Sequence, residues 1–103
     1  MYRYILMPAA IKDVQKIADY IAFELHARES ADNLLVAIDE ALDRACLFPQ
    51  SLPLLTDSFF APYEIRRVLI RKYIAYVIPD EENEVLKVLR ILYYRQDHRT
   101  QLL

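Results

Sequence analysis

The chain has 103 residues, which is enough for one domain and too few for two, and 55% of them are hydrophobic. Its 13 Lys and Arg against 15 Asp and Glu give a net charge of −2, which does not indicate a general nucleic-acid binder. A single cysteine excludes an internal disulfide, and the absence of glycine excludes a glycine-rich phosphate-binding loop.

Membrane, secretion and metal signals are also missing from the sequence. No apolar run approaches the roughly 20 residues that span a bilayer, and Arg3 interrupts an apolar start that is already too short for a signal peptide. We therefore expect a soluble cytoplasmic protein that does not act at a membrane. Two histidines and Cys46 are too scattered along the chain for a metal site, and we expect no cofactor.

The chain begins with a predicted strand and a predicted helix. Tyr2–Met7 is rich in β-prone residues, and Pro8 suits the first turn of a helix. Apolar residues then recur every three or four positions as far as Leu25, with Lys12 and Asp13 on the polar side. This pattern predicts an amphipathic helix of roughly four to five turns.

A second helix and an ordered loop are predicted next. Ser30 is the expected N-cap of a helix that ends before Pro49. Because the connection between the two helices is short, they are expected to form an antiparallel hairpin. Residues 48–62 contain three prolines among apolar side chains, which indicates an ordered connection rather than a linker.

Three strand patterns fill the rest of the chain. Ile65–Ile70 and Tyr73–Ile78 are separated by two residues, a length that suits a tight hairpin. A polar turn then precedes the last strand pattern, Val85–Tyr93. The predicted fold is α+β with the order β-α-α-β-β-β, an antiparallel sheet packed against an N-terminal helical hairpin, in a single domain over residues 1–103.

Positive charge is concentrated in the second half of the chain. Residues 1–55 carry five Lys or Arg against eight Asp or Glu, whereas residues 56–103 carry eight against seven. The cations of the predicted hairpin are Arg66, Arg67, Arg71 and Lys72. Such a patch can bind phosphate or an acidic partner, although it is as often only a solvated strand face and turn.

Several segments resemble, in the same order, the RelE/ParE superfamily of small bacterial toxins, also called the plasmid stabilisation family. The matching segments are Met7–Ala10 with Asp13, Ile17–Ile21, Leu47–Pro49, Tyr63–Arg67, Lys72–Tyr76 and Arg90–Asp97. The resemblance implies the toxin of a type II toxin–antitoxin module that inhibits growth and is neutralised by a cognate antitoxin protein. In that superfamily, RelE-like members cleave mRNA on the ribosome, and ParE-like members inhibit DNA gyrase without being nucleases.

The resemblance assigns candidate residues to each of these two activities. A metal-independent endoribonuclease needs cations for the phosphate and groups that move protons. On that hypothesis Arg95 and Arg90 bind phosphate, Tyr94 or His98 transfers a proton, and the hairpin cations are further phosphate ligands. On the gyrase hypothesis the same hairpin cations bind the target protein.

Departures from the RelE-like pattern favour the ParE-like branch. Arg95 matches a phosphate-contacting arginine of the superfamily, but the arginine that usually follows the hairpin tyrosine is Ile74 here. The tyrosine expected near the end of the chain is Gln101. A gyrase inhibitor that acts by binding is therefore favoured, and the mRNA endonuclease remains the alternative. Two candidates also have structural interpretations, since Arg90 can pair with a carboxylate and His98 can be an ordinary surface residue.

Overall fold

The order of elements is the predicted β-α-α-β-β-β, with one short helix added after the last strand. The computed structural model describes residues 1–96 and 98–102. Its strands and α-helices are β1 (Arg3–Leu6), α1 (Pro8–Asp19), α2 (Arg28–Ala45), β2 (Arg66–Ile70), β3 (Tyr73–Asp80), β4 (Val85–Tyr93) and α3 (His98–Leu102). The α+β class and the strand patterns predicted from the sequence are confirmed.

The four strands form one sheet in the order β1-β4-β3-β2. β2, β3 and β4 pair antiparallel, as predicted, whereas β1 pairs in parallel with β4. The sheet is therefore mixed, and the prediction of a wholly antiparallel sheet was wrong at β1. Two parallel strands must be joined by a long segment of chain, and here the segment between β1 and β4 contains the two helices and the β2–β3 hairpin.

The connection between the two long helices differs from the prediction. The first helix ends at Asp19 and is followed by one π-helical turn, Tyr20–Glu24, instead of continuing to Leu25 as an α-helix. Across this wider turn the Leu25 N–H donates to the carbonyl oxygen of Tyr20 at 3.1 Å. α2 then begins at Arg28, so Ser30 lies inside its first turn and is not the N-cap.

Tight turns are made without glycine. Among the described residues, four take φ values between 50° and 55°, in the left-handed region that favours glycine, namely His26, Glu64, Arg71 and Glu84. At Arg71 this conformation lets the chain reverse direction between β2 and β3 within two residues, as the spacing predicted.

The main hydrophobic core lies between the helices and one face of the sheet. α2 contributes Leu34, Ile38 and Leu42, and the strands contribute Ala75, Val77, Leu86, Val88 and Ile91. Cys46 is buried in the same cluster, as expected for a small core residue. A second cluster lies on the opposite face, where Phe60 and Ile65 of the preceding loop join the strand residues Tyr76 and Leu92, and Leu102 of α3 packs against it. Residues of β4, the last strand, therefore pack into both clusters, one on each face of the sheet.

Candidate functional site

Arg90 is held by a buried carboxylate of the first helix. Its Nε donates to Oδ2 of Asp13 at 2.7 Å, and its Nη2 donates to Oδ1 of the same residue at 2.8 Å. The third nitrogen, Nη1, donates to the carbonyl oxygen of Gln101 in α3 at 2.7 Å. The hydrogen bonds to Asp13 raise the pKa of the Arg90 guanidinium, which stays charged. Of its two sequence interpretations, the pair with a carboxylate is the one observed.

Asp13 also accepts a backbone hydrogen bond from β4. The N–H of Ile91 donates to Oδ2 of Asp13 at 3.0 Å, and Asp13 is only 7% exposed. The helical pattern had placed this residue on the polar side of α1. Asp13 therefore joins α1 to β4, and through Arg90 also to α3.

His98 has a partner at each ring nitrogen. Nε2 lies 2.7 Å from the carbonyl oxygen of Tyr93, and Nδ1 is hydrogen-bonded to the hydroxyl of Tyr76. Because a carbonyl oxygen only accepts, Nε2 is the donor there, and in the neutral ring Nδ1 accepts from the Tyr76 hydroxyl. Burial raises the pKa of Tyr76, so this hydroxyl remains a donor at neutral pH. His98 anchors α3 to the sheet and has no nitrogen left for proton transfer in this arrangement.

Arg66 is a structural residue of the connecting loop. Its Nη1 donates to the carbonyl oxygens of Gln50 and Leu52 at 2.9 and 2.7 Å. These contacts hold the start of β2 against the loop that follows α2. Arg67, by contrast, is exposed, and its charge lies close enough to Tyr76 to lower the pKa of that residue in part.

The remaining candidates come together at one end of the sheet. Arg71 and Lys72 form the turn between β2 and β3, and both are exposed. The N–H of Tyr94 donates to the carbonyl oxygen of Lys72 at 2.9 Å, which places the end of β4 beside this turn. We call these four exposed residues, Arg71, Lys72, Tyr94 and Arg95, the basic-aromatic end of the sheet.

Tyr94 and Arg95 stabilise each other at this surface. The Nε of Arg95 donates to the Tyr94 hydroxyl at 2.8 Å, and the guanidinium carbon lies 5.3 Å from the centre of the ring. A cation over an aromatic ring is a favourable arrangement that also limits the freedom of a long side chain. Asp97, the last residue of the motif quoted above, lies outside the described residues.

The candidate residues differ in how far they are exposed. Cations and an aromatic ring are presented to solvent, whereas the histidine that was a candidate for proton transfer is engaged on both sides. No group of His, Cys, Asp or Glu in residues 1–96 and 98–102 is arranged to hold a metal ion. Sequence reasoning assigned no partner to Asp13 or Tyr76, because only the fold brings Arg90 and His98 close to them.

Comparison with known proteins assigns the family. A family model described as the ParE toxin of the type II toxin–antitoxin system parDE matches residues 4–98. A search of curated proteins found no match. No helix in the described part of the chain has the length and apolar character needed to cross a bilayer. The family implies an antitoxin partner, and the mixed four-stranded sheet with its helices is compatible with this assignment. The chain therefore belongs to the ParE toxin family of type II toxin–antitoxin systems.

Proposed function

We propose that this toxin inhibits DNA gyrase by binding it through the basic-aromatic end of the sheet, without cleaving RNA. The proposal takes residues 1–103 as one toxin domain that acts in the bacterial cytoplasm. The observation that carries it is the commitment of Arg90 and His98 to structural contacts, since both were candidates for RNA cleavage.

Charge and exposure support binding as the activity. Arg71, Lys72 and Arg95 are exposed, and none of them forms an ion pair with another of the described residues. Exposed cations beside an aromatic ring suit an acidic protein surface, where Arg and Tyr contribute strongly to affinity. The same cations are too few for the counterion release that drives tight binding to the ribosome.

The proposal is tested with purified gyrase in a DNA supercoiling assay. We expect the wild-type toxin to inhibit supercoiling, and we expect Lys72→Glu and Arg95→Glu to raise the inhibitory concentration about tenfold or more. Lys12→Glu is the matched control, because Lys12 is an exposed cation on α1, outside the basic-aromatic end. It is expected to inhibit like the wild type.

Pulse labelling distinguishes the gyrase proposal from the alternative nuclease activity. In bacteria that express the toxin alone, pulse labelling should show DNA synthesis failing before protein synthesis. If protein synthesis stops first, and Arg95→Ala abolishes mRNA cleavage while the protein remains folded, the gyrase proposal is wrong. The gyrase proposal is also contradicted if Lys12→Glu raises the inhibitory concentration as much as Lys72→Glu does.

A further inference from the structure

Leu69 is a large apolar side chain that the fold leaves in solvent. It is 74% exposed, although it lies within a regular strand, β2. Its strand neighbours Val68 and Ile70 are buried in the main hydrophobic core. Because successive side chains of a strand point to opposite faces, Leu69 lies on the outer face of the sheet, the face turned away from α1 and α2.

The outer face carries an apolar row that runs across three strands and ends at Leu69. Leu69 is paired with Ile74 of β3, and Ile74 is paired with Leu92 of β4. Leu92 is buried in the second cluster and Ile74 packs against that cluster, half-buried, whereas Leu69 faces solvent. The burial of the row therefore decreases from the inside of the sheet toward its edge strand, β2.

The loop that follows α2 covers only the first part of this edge strand. The N–H of Arg67 donates to the carbonyl oxygen of Pro53 at 2.9 Å, and Leu54 forms an isolated bridge to Arg66. Among the described residues, Leu69 forms no backbone hydrogen bond with a segment outside the sheet. The side chain of Leu69 and the backbone edge beside it are therefore both accessible to a partner.

Two arginines flank Leu69 along the chain. Arg67 precedes it by two residues and Arg71 follows it by two, and both are exposed. Arg67 shares the outer face with Leu69, since it is paired with Tyr76 of the second cluster. Neither arginine forms an ion pair with another of the described residues. We call Arg67, Leu69 and Arg71 the Leu69 strip, which shares Arg71 with the basic-aromatic end of the sheet.

The composition of the Leu69 strip indicates which kind of partner fits it. A leucine offers no flat ring on which a nucleic-acid base could stack, so single-stranded nucleic acid gains little from it. A second copy of the strip would bring like charges together, which is unfavourable. An acidic protein surface with apolar residues at its centre gains both from the burial of Leu69 and from pairing with the two arginines.

We propose that the Leu69 strip is part of the gyrase-binding surface, with Leu69 buried against apolar residues of gyrase and the two arginines paired with carboxylates around them. The inference rests on the proposed function and deepens it, because it adds an apolar contact to the basic-aromatic end. Charged groups at an interface mainly accelerate association, whereas most other changes in affinity appear in the rate of dissociation. Leu69 therefore determines how long the complex with gyrase lasts.

The test compares two equally exposed apolar residues in the DNA supercoiling assay. Leu69→Thr keeps a β-branched residue in the strand and removes apolar surface, and it is expected to raise the inhibitory concentration about tenfold or more. Leu69→Met keeps the apolar surface and should inhibit like the wild type. Phe48→Thr is the matched control, because Phe48 is 73% exposed and lies in the loop after α2, outside the strip. It should also inhibit like the wild type.

Binding kinetics separate the apolar contact from the charges. In surface plasmon resonance with immobilised gyrase, Leu69→Thr is expected to raise koff and to change kon little. Arg67→Glu is expected to lower kon and to weaken its dependence on salt, because it removes a charge that attracts an acidic surface. Lys12→Glu, an exposed cation of α1, serves again as the control and should leave both rates unchanged.

Failure of this inference and failure of the proposed function give different results. A wild-type toxin that does not inhibit gyrase would refute both. A wild type that inhibits gyrase, together with a Leu69→Thr variant that inhibits equally well or a Phe48→Thr variant that loses as much, would refute the Leu69 strip alone. If inhibition by Leu69→Thr is unchanged but its affinity for the cognate antitoxin falls in isothermal titration calorimetry, the strip belongs to the antitoxin. If inhibition is unchanged but a wild-type dimer becomes a monomer in analytical ultracentrifugation, the strip binds a second copy of the chain.

Discussion

At the scale of single residues, Asp13 is the acid that links the beginning of the fold to its end. It is buried, and its carboxylate accepts three hydrogen bonds from β4, two from the Arg90 side chain and one from the Ile91 backbone N–H. Removing one partner of a buried ion pair leaves the other charge without compensation, which is much more costly than losing an exposed pair.

We predict that Asp13→Asn destabilises the protein. The free energy of unfolding should fall by about 2–3 kcal/mol, somewhat below the usual loss for a fully buried pair, because the Arg90 side chain is 21% exposed. Urea denaturation followed by circular dichroism measures this change. Glu84→Gln is the control, since it removes an exposed pair with the amino terminus and should change stability little. Equal effects of the two substitutions would contradict the structural role of Asp13.

The sequence indicates only half of this contact. An arginine inside the apolar strand Val85–Tyr93 signals either a solvent-facing side chain or a carboxylate partner. The partner that the structure brings to it is 77 positions away, on a helix face that the periodicity predicts to be polar. Patterns along the chain report which side of an element is apolar, but they do not report which elements meet. For the same reason His98 could not be assigned to Tyr76 and Tyr93.

At the scale of elements, strands and turn lengths were predictable because their signals are local. The β-prone residues Val68 and Ile70 mark β2, and the two-residue spacing marks its turn into β3. The π-helical turn was missed because Ile17, Ile21 and Leu25 keep the four-residue spacing of an ordinary helix. The parallel pairing of β1 was missed because four residues carry no information about their neighbour in the sheet.

A turn residue provides the second stability prediction. Glu64 follows a short 3-10 helix in the left-handed conformation, with φ 54° and ψ 41°. A side chain with a β-carbon costs about 1–2 kcal/mol in that conformation, whereas glycine does not, although glycine gains more freedom in the unfolded chain. We expect Glu64→Gly to raise the free energy of unfolding by up to about 1 kcal/mol and Glu64→Val to lower it. Thermal denaturation of both variants tests this, and a less stable Glu64→Gly would refute it.

At the scale of the whole molecule, burial gives the protein a characteristic response to alkaline pH. Burial is the largest cause of the raised pKa values of Tyr4, Tyr73, Tyr76 and Cys46, and at Tyr4 a hydrogen bond to Asp39 adds to it. In each case the neutral form is favoured in the folded state. The stabilisation is therefore complete below the pKa of the unfolded chain and is lost as the pH rises toward the folded value.

We predict that the free energy of unfolding stays nearly constant around neutral pH and falls above about pH 9, where thiols and then tyrosines of the unfolded chain begin to ionise. Urea denaturation at a series of pH values measures the slope. Tyr4→Phe should flatten the alkaline fall, because it removes one of the groups responsible. If the free energy of unfolding rises with pH in this range, the tyrosine hydroxyls and the thiol do not determine its pH dependence.

The central position of β4 affects how the toxin is made. β1 is synthesised early, but its partner in the sheet follows only at Val85–Tyr93. Until that strand has left the ribosome, the nascent chain has an incomplete sheet, and Tyr94 and Arg95 have not yet been placed beside Lys72. Folding that depends on such distant pairing is slow compared with the formation of local helices. We therefore expect the nascent chain to be inactive until β4 has been synthesised and paired. During that interval an antitoxin already present in the cell can bind the toxin.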